Sequence, residues 1–130
     1  MRRFLDTNVL VYANSSDTRQ RQARACVTMD AVVSVQVLNE FASVLRRKQG
    51  RSWDEIEAAV ADVLAVVAPV LPMTVATHRM GVLLTRDRGL SLYDALIVSA
   101  ALEAGCGELL TEDMQDGRTI DHLTIRNPFR

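Results

Sequence analysis

Short apolar segments alternate with longer helical segments along the whole chain, and this alternation limits the fold more than any other feature of the sequence. RRFL, AVVSV and ELLT are typical of short buried strands, and PVLP and LTI indicate two more. Strands that alternate with helices form parallel sheets that are covered by helices on both faces. The sequence therefore predicts an α/β domain with a central, mostly parallel sheet of about five short strands.

Capping residues mark the ends of the predicted helices. Ser52 and Glu55 form a capping-box pattern at the start of SWDEIEAAVADVLAVVA. Thr74 is an N-cap candidate for TVATHRMGVLLTRDRG, and Gly89 stands at the C-terminal end of that helix. Asp17 is an N-cap candidate for DTRQRQARACVTMD. VLNEFASVLRRK and SLYDALIVSAALEAG complete the predicted helices.

Chain length and composition indicate one globular domain. The sequence has 130 residues, of which 48% are hydrophobic and 24% are charged. We therefore expect one domain over residues 1–130, with one core. Because no apolar run reaches the roughly 18 residues of a membrane span, and because Asp6 interrupts any signal-peptide pattern, we expect a cytoplasmic protein without a membrane partner.

Arginine dominates the basic residues. The net charge is −1, and fourteen of the fifteen basic residues are arginine. Arginine suits bidentate phosphate contacts, but an arginine-rich composition also fits a GC-rich genome, so two explanations remain open. Cys26 and Cys106 show neither disulfide nor zinc spacing and are expected to be small buried residues.

Two acidic residues follow predicted strands. Asp6 comes directly after the first strand, within FLDTNVLVYA, and Asp113 comes just beyond ELL, within TEDMQDG. Ligand sites of parallel α/β sheets lie beyond the carboxyl ends of the strands. Both residues have a second interpretation, since DTN is also a helix-capping sequence and Asp113 could belong to an exposed loop.

Two further acids lie on predicted helices. Glu40 is at helical spacing from Val37 and Val44, and Asp94 has Ile97 and Val98 at the same spacings. Both carboxylates are thus expected at the border of an apolar face. The alternatives are that Glu40 is an ordinary flanking residue and that Asp94 completes a capping box at the start of its helix.

A cluster of four acids requires a counter-charge. Two like charges about 4 Å apart repel by roughly 4 kcal/mol at an effective dielectric near 20. A domain with a total stability of about 5 to 15 kcal/mol would not keep several such pairs uncompensated. Oxygen ligands favour Mg²⁺ or Mn²⁺, and such ions support hydrolysis at phosphorus. The acids therefore indicate a metal-dependent phosphodiesterase.

The ordered set of motifs FLDTNVLVYA, VQVLNEF, LSLYDALIVSAAL, LLTEDMQDG and IRNPF resembles the PIN-domain ribonucleases, and within them the VapC-type toxins of toxin–antitoxin pairs. The resemblance covers essentially the whole chain. It implies that the metal-binding and catalytic acids are Asp6, Glu40, Asp94 and Asp113. It places the supporting positions at Asn8, Thr111 and Asp116, and it leaves Glu112 facing away from the site.

The resemblance also implies an activity and partners. The implied activity is that of a single PIN domain, an endoribonuclease that depends on Mg²⁺ or Mn²⁺. An activated water would attack the phosphate in line and leave a 5′-phosphate and a 3′-hydroxyl. The implied partners are a second copy of the chain, in a homodimer, and a VapB-type antitoxin that covers the site. The closest alternative is a PIN nuclease of RNA processing or decay, and another is a protein that keeps the fold without turnover. A Mg²⁺-binding phosphoacceptor receiver domain is less favoured, because that fold uses a late lysine and no lysine follows Lys48.

Overall fold

The computed structural model describes residues 2–130. Its strands are β1 (Arg3–Leu5), β2 (Ala31–Ser34), β3 (Val70–Leu71), β4 (Glu108–Leu110), β5 (Thr119–Ile120) and β6 (Leu123–Arg126). Its helices are α1 (Thr7–Ala13), α2 (Gln20–Cys26), α3 (Val35–Gln49), α4 (Trp53–Val66), α5 (Val75–Arg88) and α6 (Leu92–Glu103). Over these residues, no helix combines the length and the apolar character needed to cross a membrane.

The strands form one sheet in the order β3-β2-β1-β4-β6-β5. All neighbouring pairs are parallel except β5 and β6, which are antiparallel. The chain builds the sheet outwards from β1 in both directions, so the strand order reverses between β1 and β4. In open α/β sheets, this reversal point creates the crevice at the carboxyl edge where ligands bind.

The sheet is buried on both faces. All four residues of β2 are buried, and so are the apolar residues of β1 and the last two residues of β4. Consecutive buried residues in a strand require helices on each face, because alternate side chains point to opposite faces. On α3, Phe41 and Leu45 are fully buried and belong to this same core.

The predicted fold class is confirmed, and the capping residues behave as expected. Ser52 and Glu55 form a capping box at α4, Thr74 caps α5, and Gly89 ends α5 in the left-handed conformation. The cysteines are free and buried, as predicted. The strand count differs by one, because β5 was not predicted.

The expected start of the second helix was wrong. Asp17 does not cap it, since α2 begins at Gln20 and has Arg19 as its N-cap residue. The Asp17 carboxylate instead accepts hydrogen bonds from the backbone N–H and from the guanidinium of Arg19, at 2.9 and 2.7 Å. The pairing folds the segment before α2 into a turn, so the helix starts later.

Candidate active site

A cavity of about 740 Å³ lies at the carboxyl ends of β1 and β4. We call it the acid cavity, because all four predicted catalytic acids line it: Asp6, Glu40, Asp94 and Asp113. Asp6 follows β1 and Asp113 follows β4, while Glu40 and Asp94 come from α3 and α6. Residues far apart in sequence are thus brought to one crevice at the edge of the sheet.

Asp6 is both a helix-capping residue and a residue of the acid cavity, so both interpretations of the DTN sequence apply. It is the N-cap of α1, and its Oδ1 accepts a hydrogen bond of 2.7 Å from Thr7 N. Its Oδ2 accepts a hydrogen bond of 2.8 Å from the hydroxyl of Thr111. The side chain is only 5% exposed. The cap fixes the carboxylate where the strand ends, which places it at the floor of the acid cavity.

Glu40 is held by one residue from each of two helices. Thr7 donates its hydroxyl to Glu40 Oε2 at 2.6 Å, and Gln36 donates its Nε2 to Glu40 Oε1 at 3.1 Å. The same Gln36 amide donates to the carbonyl of Tyr93 at 3.3 Å. These contacts connect α1, α3 and the first turn of α6, and they orient Glu40 toward the other acids.

Asn8 and Thr111 connect α1 to the loop after β4. Asn8 Nδ2 donates to Thr111 Oγ1 and to Asp113 Oδ2, at 3.1 Å each. Thr111 Oγ1 also accepts from the backbone N–H of Asp113 at 3.1 Å. Neither residue is charged, so both position carboxylates without adding to the repulsion between them.

Asp94 is half-buried in the first turn of α6. Ser91 is the N-cap residue of this helix, and its hydroxyl accepts from Asp94 N at 3.3 Å. The reciprocal contact of a capping box, from the backbone N–H of Ser91 to the Asp94 carboxylate, is missing between these two residues. The side chain therefore contributes to the acid cavity and does not close a box.

The electrostatics show the cost of gathering these acids. Burial raises the pKa of Asp6 to about 6, and the charges of Asp113 and Glu40 add to the rise, against the opposing hydrogen bonds from Thr111 and Thr7. Burial also raises the pKa of Asp94, again with contributions from Asp113 and Glu40. Both shifts therefore come mainly from the burial of these two carboxylates, and the neighbouring negative charges add to them.

Two acids of the TEDMQDG loop behave differently from the expectations. Asp116 is exposed and does not line the acid cavity, and its Oδ1 accepts from the backbone N–H of Asn127 at 2.8 Å. Glu112 was expected to face away, yet it lines the cavity. Its carboxylate is engaged by the Tyr12 hydroxyl and by Arg19 Nη1, the latter at 3.0 Å.

The oxygen ligands of the acid cavity suit Mg²⁺ or Mn²⁺, although they do not form a complete preformed coordination shell. Within residues 2–130, no three acidic, histidine or cysteine side chains are grouped closely enough to form a complete ligand set. Several carboxylate oxygens are instead bonded to protein donors such as Thr7, Gln36 and Asn8. Mg²⁺ commonly keeps several waters and binds through only one or two carboxylates. Hard oxygen donors around a spacious cavity fit that mode of binding.

Basic and aromatic residues also line the acid cavity, and the sequence did not single them out. Arg47 and Lys48, in the last turn of α3, lie on the wall that carries Glu40. Tyr93 lines the cavity next to Asp94 and is 68% exposed. A wall that carries positive charge beside acids suits a polyanionic ligand bound with a cation. Arg47 and Lys48 belong to the run RRK shortly before Gly50, and this run is the sequence signal that could have indicated the wall.

The chain belongs to the PIN-domain family, because the family model described as PIN domain matches residues 3–116. A comparison with curated protein sequences finds no match. Family membership rests on the domain model, and the solved structures described next show the same fold.

The fold is shared with toxins of toxin–antitoxin systems. The chain is similar to VapC20 of Mycobacterium tuberculosis, a toxin that cleaves the sarcin–ricin loop, with 22% identity, a TM-score of 0.66, and coverage of 82% of this chain and 86% of that one. A toxin–antitoxin complex from Klebsiella pneumoniae matches with 18% identity, a TM-score of 0.73 and 96% coverage of both chains. VapBC2 from Rickettsia felis, bound to a DNA fragment from its promoter, matches with 19% identity, a TM-score of 0.68 and 98% coverage of both chains.

Proposed function

We propose that this protein is a VapC-type toxin that hydrolyses RNA phosphodiester bonds in the cytoplasm, with Mg²⁺ or Mn²⁺ as its cofactor. The observation that carries the proposal is the convergence of Asp6, Glu40, Asp94 and Asp113 on one cavity of a PIN domain. The proposed domain spans residues 1–130. The similarity to a toxin that cleaves the sarcin–ricin loop favours RNA as the substrate.

The residues of the acid cavity have different roles in the proposed reaction. The four acids would hold the metal, directly or through the waters that it keeps, and a bound metal would lower the pKa of a water and stabilise negative charge on the phosphate. Thr111 and Asn8 hold Asp6 and Asp113 in place, and Thr7 and Gln36 do the same for Glu40. Arg47 and Lys48 attract the RNA backbone to the mouth of the cavity. Preorganised groups of this kind accelerate reactions because they need no rearrangement in the transition state.

A VapB-type antitoxin and a homodimer belong to the same proposal. Two of the similar structures contain toxin–antitoxin assemblies, which supports an antitoxin partner. Several apolar side chains of α4 and α5 are more than 40% exposed, among them Trp53, Leu64, Met80, Val82 and Leu83. Exposed apolar side chains in such number suit a protein–protein contact. Light scattering of the purified chain should give the mass of a dimer.

A ribonuclease assay tests the proposed function. The wild-type chain should cleave single-stranded RNA in Mg²⁺, leave 5′-phosphate ends, and stop when EDTA is added. Asp94→Asn and Asp113→Asn should each lose activity by a factor of at least about 100, since each removes a charge that the cation needs. Asp116→Asn, a change in the same loop but outside the cavity, should keep it.

Expression in cells distinguishes the toxin from the alternatives. Wild-type expression should arrest growth, and Asp94→Asn should relieve the arrest. Cleavage without growth arrest would favour a PIN nuclease of RNA processing or decay. Absence of cleavage would instead favour a protein that keeps the fold without turnover. Membership in the PIN family leaves the receiver-domain alternative without support.

A further inference from the structure

A second cavity, of about 780 Å³, lies at the end of α1 opposite Asp6. Two arginines, Arg24 and Arg51, line it together with serine, asparagine and glutamine side chains. Among the described residues, none that lines this cavity is acidic. We call it the basic cavity. Its chemistry is opposite to that of the acid cavity, and the proposed mechanism does not use it.

Both arginines are held in position by the end of α1. Arg24 donates its Nε to the carbonyl of Ala13 at 3.0 Å, and Arg51 donates Nη2 to the carbonyl of Asn14. One function of the pair is thus to satisfy carbonyls at a helix C-terminus. A guanidinium has five N–H donors, so each arginine keeps most of its donors for a ligand.

The charges of Arg24 and Arg51 are not used in ion pairs. Within residues 2–130, the ion pairs of arginine involve Arg3, Arg19, Arg86, Arg88 and Arg126. A pair of anchored guanidinium groups without a carboxylate partner suits an anion that can accept several hydrogen bonds. Phosphate oxygens meet this requirement, because arginine recognises phosphate with paired N–H donors.

Neighbouring residues of the same two segments line the two cavities, although no described residue lines both. The last turn of α3 contributes Arg47 and Lys48 to the acid cavity, and the next residues of the chain include Gln49 and Arg51 of the basic cavity. Tyr12 lines the acid cavity, whereas the residues just after α1 line the basic one. The seven residues of α1 span about 10 Å at 1.5 Å per residue. A strand of a few nucleotides covers this distance.

We propose that the basic cavity binds a backbone phosphate of the same RNA strand whose scissile phosphate lies in the acid cavity. Arg24 and Arg51 contact this phosphate and fix the register of the strand. Since phosphate contacts position a nucleic acid without reading its bases, the cavity contributes affinity and not sequence specificity. The inference rests on the proposed ribonuclease function and adds the path of the substrate.

Binding of RNA without cleavage tests the inference. The affinity of the full chain for a labelled single-stranded RNA about 15 nucleotides long is measured by fluorescence anisotropy in EDTA, at several salt concentrations. Arg24→Gln and Arg51→Gln should each weaken binding about tenfold, since each removes charge-assisted hydrogen bonds. The double variant should also reduce the slope of log K against log salt by about 0.7 for the phosphate that is lost.

Matched variants separate the cavity from general charge. Arg21→Gln removes an exposed arginine of α2 that lines neither cavity, and it should change the affinity less than twofold. If the arginine variants unfold, Ser16→Glu places a negative charge in the basic cavity without removing an anchor. Its control is Gln22→Glu, an exposed residue outside both cavities.

The outcomes separate this inference from the proposed function. Unchanged RNA affinity in the double variant, with wild-type cleavage intact, would overturn the inference and leave the ribonuclease proposal standing. If the double variant kept its RNA affinity but bound the antitoxin more weakly, the inference would be overturned, and the basic cavity would be a binding site for a protein. A wild-type chain that neither binds nor cleaves RNA would overturn both. Binding that depends on the arginines without any cleavage would overturn the ribonuclease proposal and the scissile phosphate in the acid cavity with it, and would leave only an RNA phosphate contact in the basic cavity.

Discussion

Thr111 shows how much of the acid cavity depends on a single hydroxyl group. This fully buried side chain donates to Asp6 Oδ2 and accepts from Asn8 Nδ2 and from the backbone N–H of Asp113. Thr111→Val keeps the shape but leaves these groups without their partner. Metal affinity should fall between tenfold and 100-fold, as for other groups that orient metal ligands. Calorimetric titration with Mn²⁺ measures the change.

Thr77→Val provides the control for Thr111→Val. Thr77 is also fully buried, but its hydroxyl contacts Thr74 at the start of α5, and it does not line the acid cavity. This variant should lose about 1 kcal/mol of stability through the weaker cap while its Mn²⁺ affinity stays at the wild-type value. An equal loss of metal affinity in both variants would show that Thr111 acts only through general stability.

Asp6 predicts an unusual dependence of stability on pH in EDTA. Its pKa in the folded chain is raised from 3.8 to about 6, so the folded state binds the proton more tightly than the unfolded state does. The contribution of Asp6 to stability is therefore fully present below the unfolded pKa of 3.8 and is lost as the pH rises through about 6. The loss amounts to about 3 kcal/mol at 1.36 kcal/mol per pKa unit.

Asp6→Asn isolates this effect from all other titrating groups. The free energy of unfolding of Asp6→Asn minus that of wild type should increase by about 3 kcal/mol between pH 3 and pH 7, and about 2 kcal/mol of this increase should fall between pH 4 and pH 6. Urea unfolding at each pH measures both values. A difference that does not vary with pH would mean that the carboxylate is not strained by its surroundings.

At the scale of single elements, the contact between α5 and α6 is unusually close at Gly81. A Cβ added there would lie 2.6 Å from Cδ2 of Leu96. Gly81→Ala should destabilise the protein by about 1 kcal/mol in urea unfolding, because an overpacking cost of 1–3 kcal/mol exceeds the gain in helix propensity of about 1 kcal/mol. In a Leu96→Ala background, the same change should become stabilising.

The control for this pair is Val98→Ala, which truncates another buried residue of α6. The three heavy atoms nearest to a Cβ at position 81 all belong to Leu96, and none belongs to Val98. The effects of Gly81→Ala and Val98→Ala should therefore add within about 0.5 kcal/mol. If the effects of Gly81→Ala and Leu96→Ala were also additive, this result would contradict the close contact between positions 81 and 96.

Elements with strong local signals were predictable, and elements defined by tertiary contacts were not. The capping box at Ser52 and the left-handed Gly89 are local features, so α4 and α5 could be located from the sequence. β5 has only two residues and exists through its antiparallel pairing with β6. The short α1 could be anticipated only as a possible consequence of the DTN cap.

The same distinction applies to the candidate site. Positions that follow strands or lie at the edge of an apolar helix face could be selected from the sequence, and the structure gathers these four acids in one cavity. Hydrogen-bond partners far apart in sequence could not be foreseen. The contacts of Glu112 with Arg19 and of Asp116 with Asn127 depend on how the loop after β4 lies against distant segments.

For the whole molecule, the binding of a cation should raise thermal stability. A ligand at ten times its Kd that binds only the folded state stabilises that state by about 1.4 kcal/mol. For a domain of this size, we expect the Tm to rise by about 5 °C in saturating MgCl₂. NaCl at equal ionic strength should raise it less, and Asp94→Asn should largely abolish the Mg²⁺ effect.

Calorimetric titration of the wild-type chain and its acid variants with Mn²⁺ decides whether the four carboxylates act as one metal site. Wild type should bind at least one ion per chain. Asp6→Asn, Glu40→Gln, Asp94→Asn and Asp113→Asn should each weaken binding at least about tenfold, while Asp116→Asn should not. Equal Mn²⁺ affinity in wild type and in all four cavity variants would show that no divalent ion is held there.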